Sequence, residues 1–139
     1  MKTVILSSLE LIFTIFTNTI QAKENAHEVN NYVVLTKKVE QLKPIILTAQ
    51  SLKEEDGEHF GDYQVIVCGK DITQLADKEK MKGFVEQAEE AGVKLIACGF
   101  SMKKFGVEAK DIPSEFKIVE NGILYNFQLQ KKGYYSLGL

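Results

Sequence analysis

Apolar positions along this chain switch between two periods. Tyr32 to Leu35 (YVVL) is a compact β-branched run and predicts a buried strand. After it, Val39, Leu42, Ile45, Ile46, Ala49 and Leu52 recur at helical spacing. Pro44 fits the first turn of that helix, so Thr36 to Lys43 is expected to be a loop or an irregular turn at its head. Gly57 and Gly61 bracket a turn, and Tyr63 to Cys68 (YQVIVC) predicts a second strand. A polar link then leads to a second helical stripe of Met81, Phe84, Val85, Ala88 and Ala91, with Asp77 as N-cap and Gly92 as the C-terminal glycine. Val93 to Cys98 (VKLIAC) predicts a third strand, Ser101 to Phe105 a short helix ended by Gly106, and Phe116 to Val119 a fourth strand. Asn121 to Lys132 reads as a helix with Ile123, Leu124 and Phe127 on its apolar face, closed by Gly133, and Tyr134 to Leu137 as a small edge strand.

About thirty residues separate Cys68 from Cys98, the size of a strand-helix-strand unit, and such units make parallel strands with right-handed crossovers. The pattern predicts one α/β domain over residues 32–139. It is a mostly parallel sheet of four or five strands with helices on both faces, a three-layer sandwich.

The first 22 residues stand apart. MKTVILSSLELIFTIFTNTIQA carries one lysine, a long apolar stretch and a terminal alanine, and the polar run KENAHEVNN follows. This reads as a secretory signal peptide over residues 1–22 with a polar linker over 23–31, although Glu10 interrupts the apolar region. The competing reading is a first core strand followed by an amphipathic helix. The apolar stretch is short and threonine-rich for a transmembrane helix, so no membrane span is expected in the mature form. Export places the protein in a periplasm; a retained leader would leave it in the cytoplasm.

Composition narrows the function classes. The chain of 139 residues is 45% apolar, enough for a single core, and its net charge of -2 offers no basic excess for nucleic-acid phosphates. Two cysteines are too few for a disulfide-stapled mini-domain or a four-cysteine zinc site, and His27 and His59 lack metal-ligand spacing. No Walker loop or GxGxxG is present, and neither a metal nor a cofactor is implied.

What remains is the cysteines. Both end an apolar run, and both are followed by glycine: VIVCG and LIACG. In parallel α/β sheets, sites lie in the crevice beyond the carboxyl ends of the strands, where both thiols fall. Cys98 precedes a short helix whose first N–H groups point back towards its sulfur, and Lys103 and Lys104 add positive charge; both features favour a thiolate. Gly99 permits a close backbone approach to a ligand, and Ser101 opens the short helix. Lys70 is the cation nearest Cys68 in sequence. The plainer reading is that both cysteines are small buried core residues. If the strands are neighbours the thiols share one crevice; an intervening strand would keep them apart.

The stretches AGVKLIACGFSMKKFGV and VENGILYNFQLQKKGYYSL carry a resemblance to the DsrE/DsrF-like family of small sulfur-handling proteins, over about residues 31–139. In that family a helix ending in glycine leads into a strand that ends on a cysteine. A small residue and a short helix closed by Gly-Val or Gly-Ile follow, and the tail is an apolar helix ending in a glycine-aromatic pair, here Gly133 and Tyr134. The resemblance implies a homo-oligomer, a trimer or hexamer. In relay members, which are generally cytoplasmic, it implies a cysteine that carries sulfane sulfur as a persulfide between donor and acceptor proteins; Cys98 occupies that position.

The resulting expectation is a thiol-based sulfur carrier, at most a sulfurtransferase in activity. Cys98 would be mainly free, and Cys68 at most a resolving thiol that bonds to it transiently. The alternative is a non-catalytic oligomeric binding module with a structural Cys98. The leader is checked by N-terminal sequencing of protein from its native host. A start near Lys23 is expected, whereas a start at Met1 in the cytosol would contradict export.

Overall fold

The structure, a computed structural model, describes residues 28–139. The expected leader and residues 23–27 of the linker lie outside the described residues. The elements run β1 (Asn30–Thr36), α1 (Leu42–Asp56), β2 (Phe60–Val67), α2 (Lys78–Ala91), β3 (Val93–Cys98), α3 (Gly99–Phe105), β4 (Lys117–Val119), α4 (Gly122–Lys131) and β5 (Tyr135–Gly138). The first strand thus starts earlier than Tyr32: the Asn31 side chain accepts a hydrogen bond from the Asp62 N–H at 2.7 Å, which ties this end of β1 to β2. The irregular head of α1 is as expected, a 3-10 turn over Val39–Gln41, with Pro44 in the first turn of the helix.

All five strands form one sheet in the order β4-β3-β2-β1-β5, and every pairing is parallel. This order explains the distribution of helices. From β1 to β4 the chain steps in one direction, and right-handed crossovers keep the intervening helices on one face. From β4 to β5 it steps back past β3, β2 and β1, so the same handedness puts α4 on the opposite face. A helix that follows a strand begins at that strand's carboxyl end. The first turn of α4 therefore arrives at the rim where β2 and β3 end.

Strand periodicity sorts the core into two layers. Val65, Val67, Leu95 and Ala97 pack against Leu42, Ile45, Ile46 and Ala49 of α1 and Met81, Val85, Ala88 and Ala91 of α2. The alternate positions Ile66, Cys68, Ile96 and Cys98 join Val33 and Leu129 beneath α4. Each fully buried aliphatic side chain contributes roughly 1.5–3 kcal/mol, so the α1/α2 layer carries most of the stability. The segment between Gly69 and Asp77, expected to be a polar link, is a 3-10 helix over Lys70–Ala76 that buries Ile72 and Leu75. Two apolar residues in so short a segment make no periodic signal. Asp77 caps α2 as expected, accepting from the Lys80 N–H at 3.1 Å, and Gly92 ends it with φ +71°.

The predicted apolar face of α4 is not the buried one. Ile123, Leu124 and Phe127 are 59, 54 and 56% exposed, while Gly122, Tyr125, Asn126 and Leu129 face the sheet. Those four are spaced i, i+3, i+4 and i+7, a proper helical stripe built of a glycine, a tyrosine, an asparagine and one leucine. A polar clamp fixes this rotation. The Tyr125 hydroxyl donates to Gln64 Oε1 at 2.7 Å, Gln64 Nε2 donates to Asp62 Oδ2 at 2.5 Å, and the Tyr134 hydroxyl donates to the same oxygen at 2.6 Å. Lys94 Nζ lies 2.7 Å from Asp62 Oδ1.

Burial opposes ionisation of Asp62, but the bonds from Lys94, Tyr134 and Gln64 outweigh it and hold its carboxyl below the ordinary value. A depressed carboxylate pKa contributes stability above the unfolded-state value, which is lost as pH falls through the folded one. Replacing Asp62 by Ala is therefore expected to cost on the order of 2 kcal/mol at neutral pH, read by urea unfolding. The difference from wild type should hold down to about pH 4 and shrink below it; a difference that grew in acid would refute the clamp.

Candidate functional site

The two cysteines meet. Register pairs Val67 of β2 with Ala97 of β3, so Cys68 and Cys98 are the next residues on neighbouring strands, and both belong to the layer beneath α4. The ladder continues far enough to hold Cys68, whose N–H donates to the Thr36 carbonyl at 2.9 Å. Both thiols are free, with exposures of 6% for Cys68 and 3% for Cys98, and each is close enough to act on the other's ionisation.

Gly122 closes the site from above. Its N–H donates to Cys98 Sγ at 3.3 Å. The approach is so close that a Cβ on Gly122 would lie 2.6 Å from Cys68 Sγ, 2.8 Å from Ile66 Cγ2 and 3.1 Å from Cys98 Cβ. Only glycine allows the first turn of α4 to rest on both thiols. Asn121 caps the helix by accepting from the N–H groups of Ile123 and Leu124 at 3.0 and 3.2 Å, which leaves the Gly122 N–H for the sulfur. The positive end of the α4 dipole therefore sits on Cys98.

Ser101 acts from the other side. Its hydroxyl accepts from the Gly69 N–H at 2.9 Å and can donate onward to Cys98. The Ser101 N–H also favours the thiolate, though it closes no formal cap bond with Cys98, the residue that precedes α3. Burial disfavours the Cys98 thiolate, but donation from the Ser101 hydroxyl, the Gly122 and Ser101 N–H groups and Cys68 overcomes it, and its pKa falls below the ordinary cysteine value. Cys68 goes the other way. Burial, then the neighbouring Cys98 and the hydrogen bond it donates there, pushes its thiol up to about 12, with Lys37 only partly offsetting this. One sulfur is poised as the anion and the other keeps its proton.

These groups line a crevice of about 430 Å³ walled by Lys37, Gly69, Phe100, Lys104, Asn121 and Ile123, among others. The site residues expected from the sequence divide accordingly. Cys68, Cys98, Ser101 and Lys104 come together, with the Lys104 ammonium 5.6 Å from the centre of the Phe105 ring. Lys103 is exposed in the last turn of α3, outside the crevice wall. At Gly99 the close approach is to the protein's own backbone: a Cβ there would lie 2.9 Å from the Val119 carbonyl oxygen. Its neighbour Phe100 donates its N–H to the Glu120 carbonyl at 2.8 Å. The cation that acts on Cys68 is Lys37, at the end of the adjacent strand, rather than Lys70. Sequence reasoning missed Lys37, Asn121 and Gly122. The signal for the last two was the Asn-Gly pair, an N-cap residue followed by a glycine that costs helix stability and so requires a packing reason.

Two glycines on helices make opposite predictions. Gly122→Ala is expected to destabilise the fold by roughly 1–3 kcal/mol through overpacking. Gly83, in α2, has open space where a Cβ would go, so Gly83→Ala should stabilise by about 0.5–1 kcal/mol. Urea midpoints of the two variants check this; equal shifts in one direction would contradict the close contact at Gly122.

Comparison with known proteins agrees with the fold. No curated protein matches the sequence. A solved structure of a protein of unknown function from Methanobacterium thermoautotrophicum superposes with a TM-score of 0.66 at 16% identity, over 79% of this chain and 100% of that one, and supports the architecture alone. The sequence model of the DsrE/DsrF-like family matches residues 12–135, most of the chain including both cysteines and the first turn of α4, and the protein belongs to that family.

Proposed function

We propose that the protein is a thiol-based sulfur carrier in which Cys98 accepts sulfane sulfur as a persulfide. The observation that carries this reading is the convergence of donors on Cys98 at the base of an open crevice, with the Gly122 N–H at 3.3 Å. The Cys98 thiolate attacks the terminal sulfane sulfur of a persulfide or polysulfide donor. A Cys98–sulfur bond forms, the donor's sulfur–sulfur bond breaks, and the donor leaves as its thiolate or shortened polysulfide. The same donors then face an anionic persulfide, and Lys37 and Lys104 add positive charge at the crevice wall. The chemistry uses no cofactor, and membership of a sulfur-handling family supports it.

Two further proposals accompany it. The exposed apolar residues Phe100, Ile123, Leu124 and Phe127 lie at the crevice and along α4, and we assign this face to a homo-oligomer, a trimer or hexamer. Sulfur donor and acceptor proteins would approach the same rim. The apolar leader supports an exported, periplasmic protein. Among the described residues no helix is long and apolar enough to cross a membrane.

One observation favours the binding-module alternative: Cys98 exposes only 3% of its surface, as an inert core thiol would. Two measurements separate the readings. Incubation with polysulfide followed by intact-mass analysis should give a sulfur-sized adduct that is absent from Cys98→Ser. Thiol labelling of native protein near neutral pH should modify Cys98 faster than Cys68. No adduct together with an unreactive Cys98 would establish the structural role instead.

A further inference from the structure

Cys68 forms no bond to the sulfur as it is loaded onto Cys98, yet the fold places it where a loaded sulfur can be removed. It occupies the matching position on the neighbouring strand, and both cysteines line the same crevice, with Gly122 packed against both. Neighbouring strands lie about 4.8 Å apart, within the Cα separations that a disulfide spans. Among the described residues no structural element stands between the two, because β2 and β3 are paired directly.

We propose that the Cys68–Cys98 pair releases the carried sulfur as hydrogen sulfide, so that the protein reduces sulfane sulfur as well as carrying it. The proposal rests on persulfide formation at Cys98. In the loaded state the terminal sulfur is an anion beside the Cys68 S–H. The proton passes from Cys68 to that terminal sulfur, leaving a Cys68 thiolate and a neutral persulfide. The Cys68 thiolate then attacks Cys98 Sγ. A Cys68–Cys98 bond forms, the bond from Cys98 to the terminal sulfur breaks, and hydrosulfide leaves. The two cysteines lose two electrons in all, and the sulfane sulfur gains them as it becomes sulfide. An external dithiol, protein or small molecule, returns the pair to the reduced form.

The environment of Cys68 suits this order of events. A strongly held proton keeps Cys68 from competing for the donor during loading, because the thiolate is the nucleophile. Once ionised, a thiolate of high pKa is intrinsically the stronger nucleophile towards sulfur. The Gly122 N–H, which faced the Cys98 thiolate, remains over the bond being broken.

The test loads reduced full-length protein with inorganic polysulfide, removes the excess by desalting, and follows mass and sulfide without added thiol. Wild type is expected to pass from one sulfur heavier than the reduced protein to two hydrogens lighter, with one sulfide released per chain and a Cys68–Cys98 peptide on non-reducing mapping. Cys68→Ser should keep the extra sulfur and release at least tenfold less sulfide. Cys68→Ala, which leaves no polar atom at this buried position, should behave as Cys68→Ser does. An adduct that persists equally in wild type and both variants overturns sulfide release but leaves the carrier intact. No adduct on any of the three proteins overturns both.

Discussion

The site depends on one contact, the first turn of α4 resting on two thiols with no side chain between. The topology brings it about. Because the chain reverses its direction across the sheet after β4, α4 covers the second face as the one helix there among the described residues, and it enters from the carboxyl rim of the strands. The strand alternation that puts Val65, Val67, Leu95 and Ala97 under α1 and α2 sends Ile66, Cys68, Ile96 and Cys98 to that second face. Gly122 lets the helix sit low enough for its N–H to reach Cys98, and the clamp of Tyr125, Gln64, Asp62 and Tyr134 fixes its rotation.

The electrostatic consequence is a difference between two like groups. Isolated burial raises the pKa of any thiol. Here burial acts on both, but the donors are shared unequally. Cys98 receives the Ser101 hydroxyl, two backbone N–H groups and the Cys68 thiol, whereas Cys68 is itself a donor and faces a neighbour that prefers to be an anion. The low exposure of Cys98 is compatible with reactivity, because a dry site strengthens each of these interactions. It also restricts access to small or extended reagents that can enter the crevice.

Much of the fold was legible because its elements are locally self-consistent. Strand β3 and helix α2 each had an unbroken pattern with a capping residue or glycine at the boundary, so their positions could be read directly. That both cysteines fall at the carboxyl rim followed from the strand ends. Their contact did not, because it depends on β2 and β3 being neighbours, which sequence makes only the more common arrangement. The phase of α4 was misread for a physical reason. Ile123, Leu124 and Phe127 make the stronger apolar stripe, but the close approach at Gly122 and the tyrosine clamp turn the helix so that this stripe faces outward. Lys37 was invisible because only strand pairing brings the end of β1 beside Cys68.

The central claim is that the first turn of α4 and Ser101 make Cys98 the easily ionised thiol of the pair. The most direct measurement is the rate of alkylation of Cys98 by iodoacetamide as a function of pH, followed by peptide mass mapping in native protein. The account predicts a midpoint below that of an unperturbed cysteine, about 8.5, with Cys68 unmodified across the same range. A Cys98 midpoint above that value, or faster modification of Cys68, would contradict it.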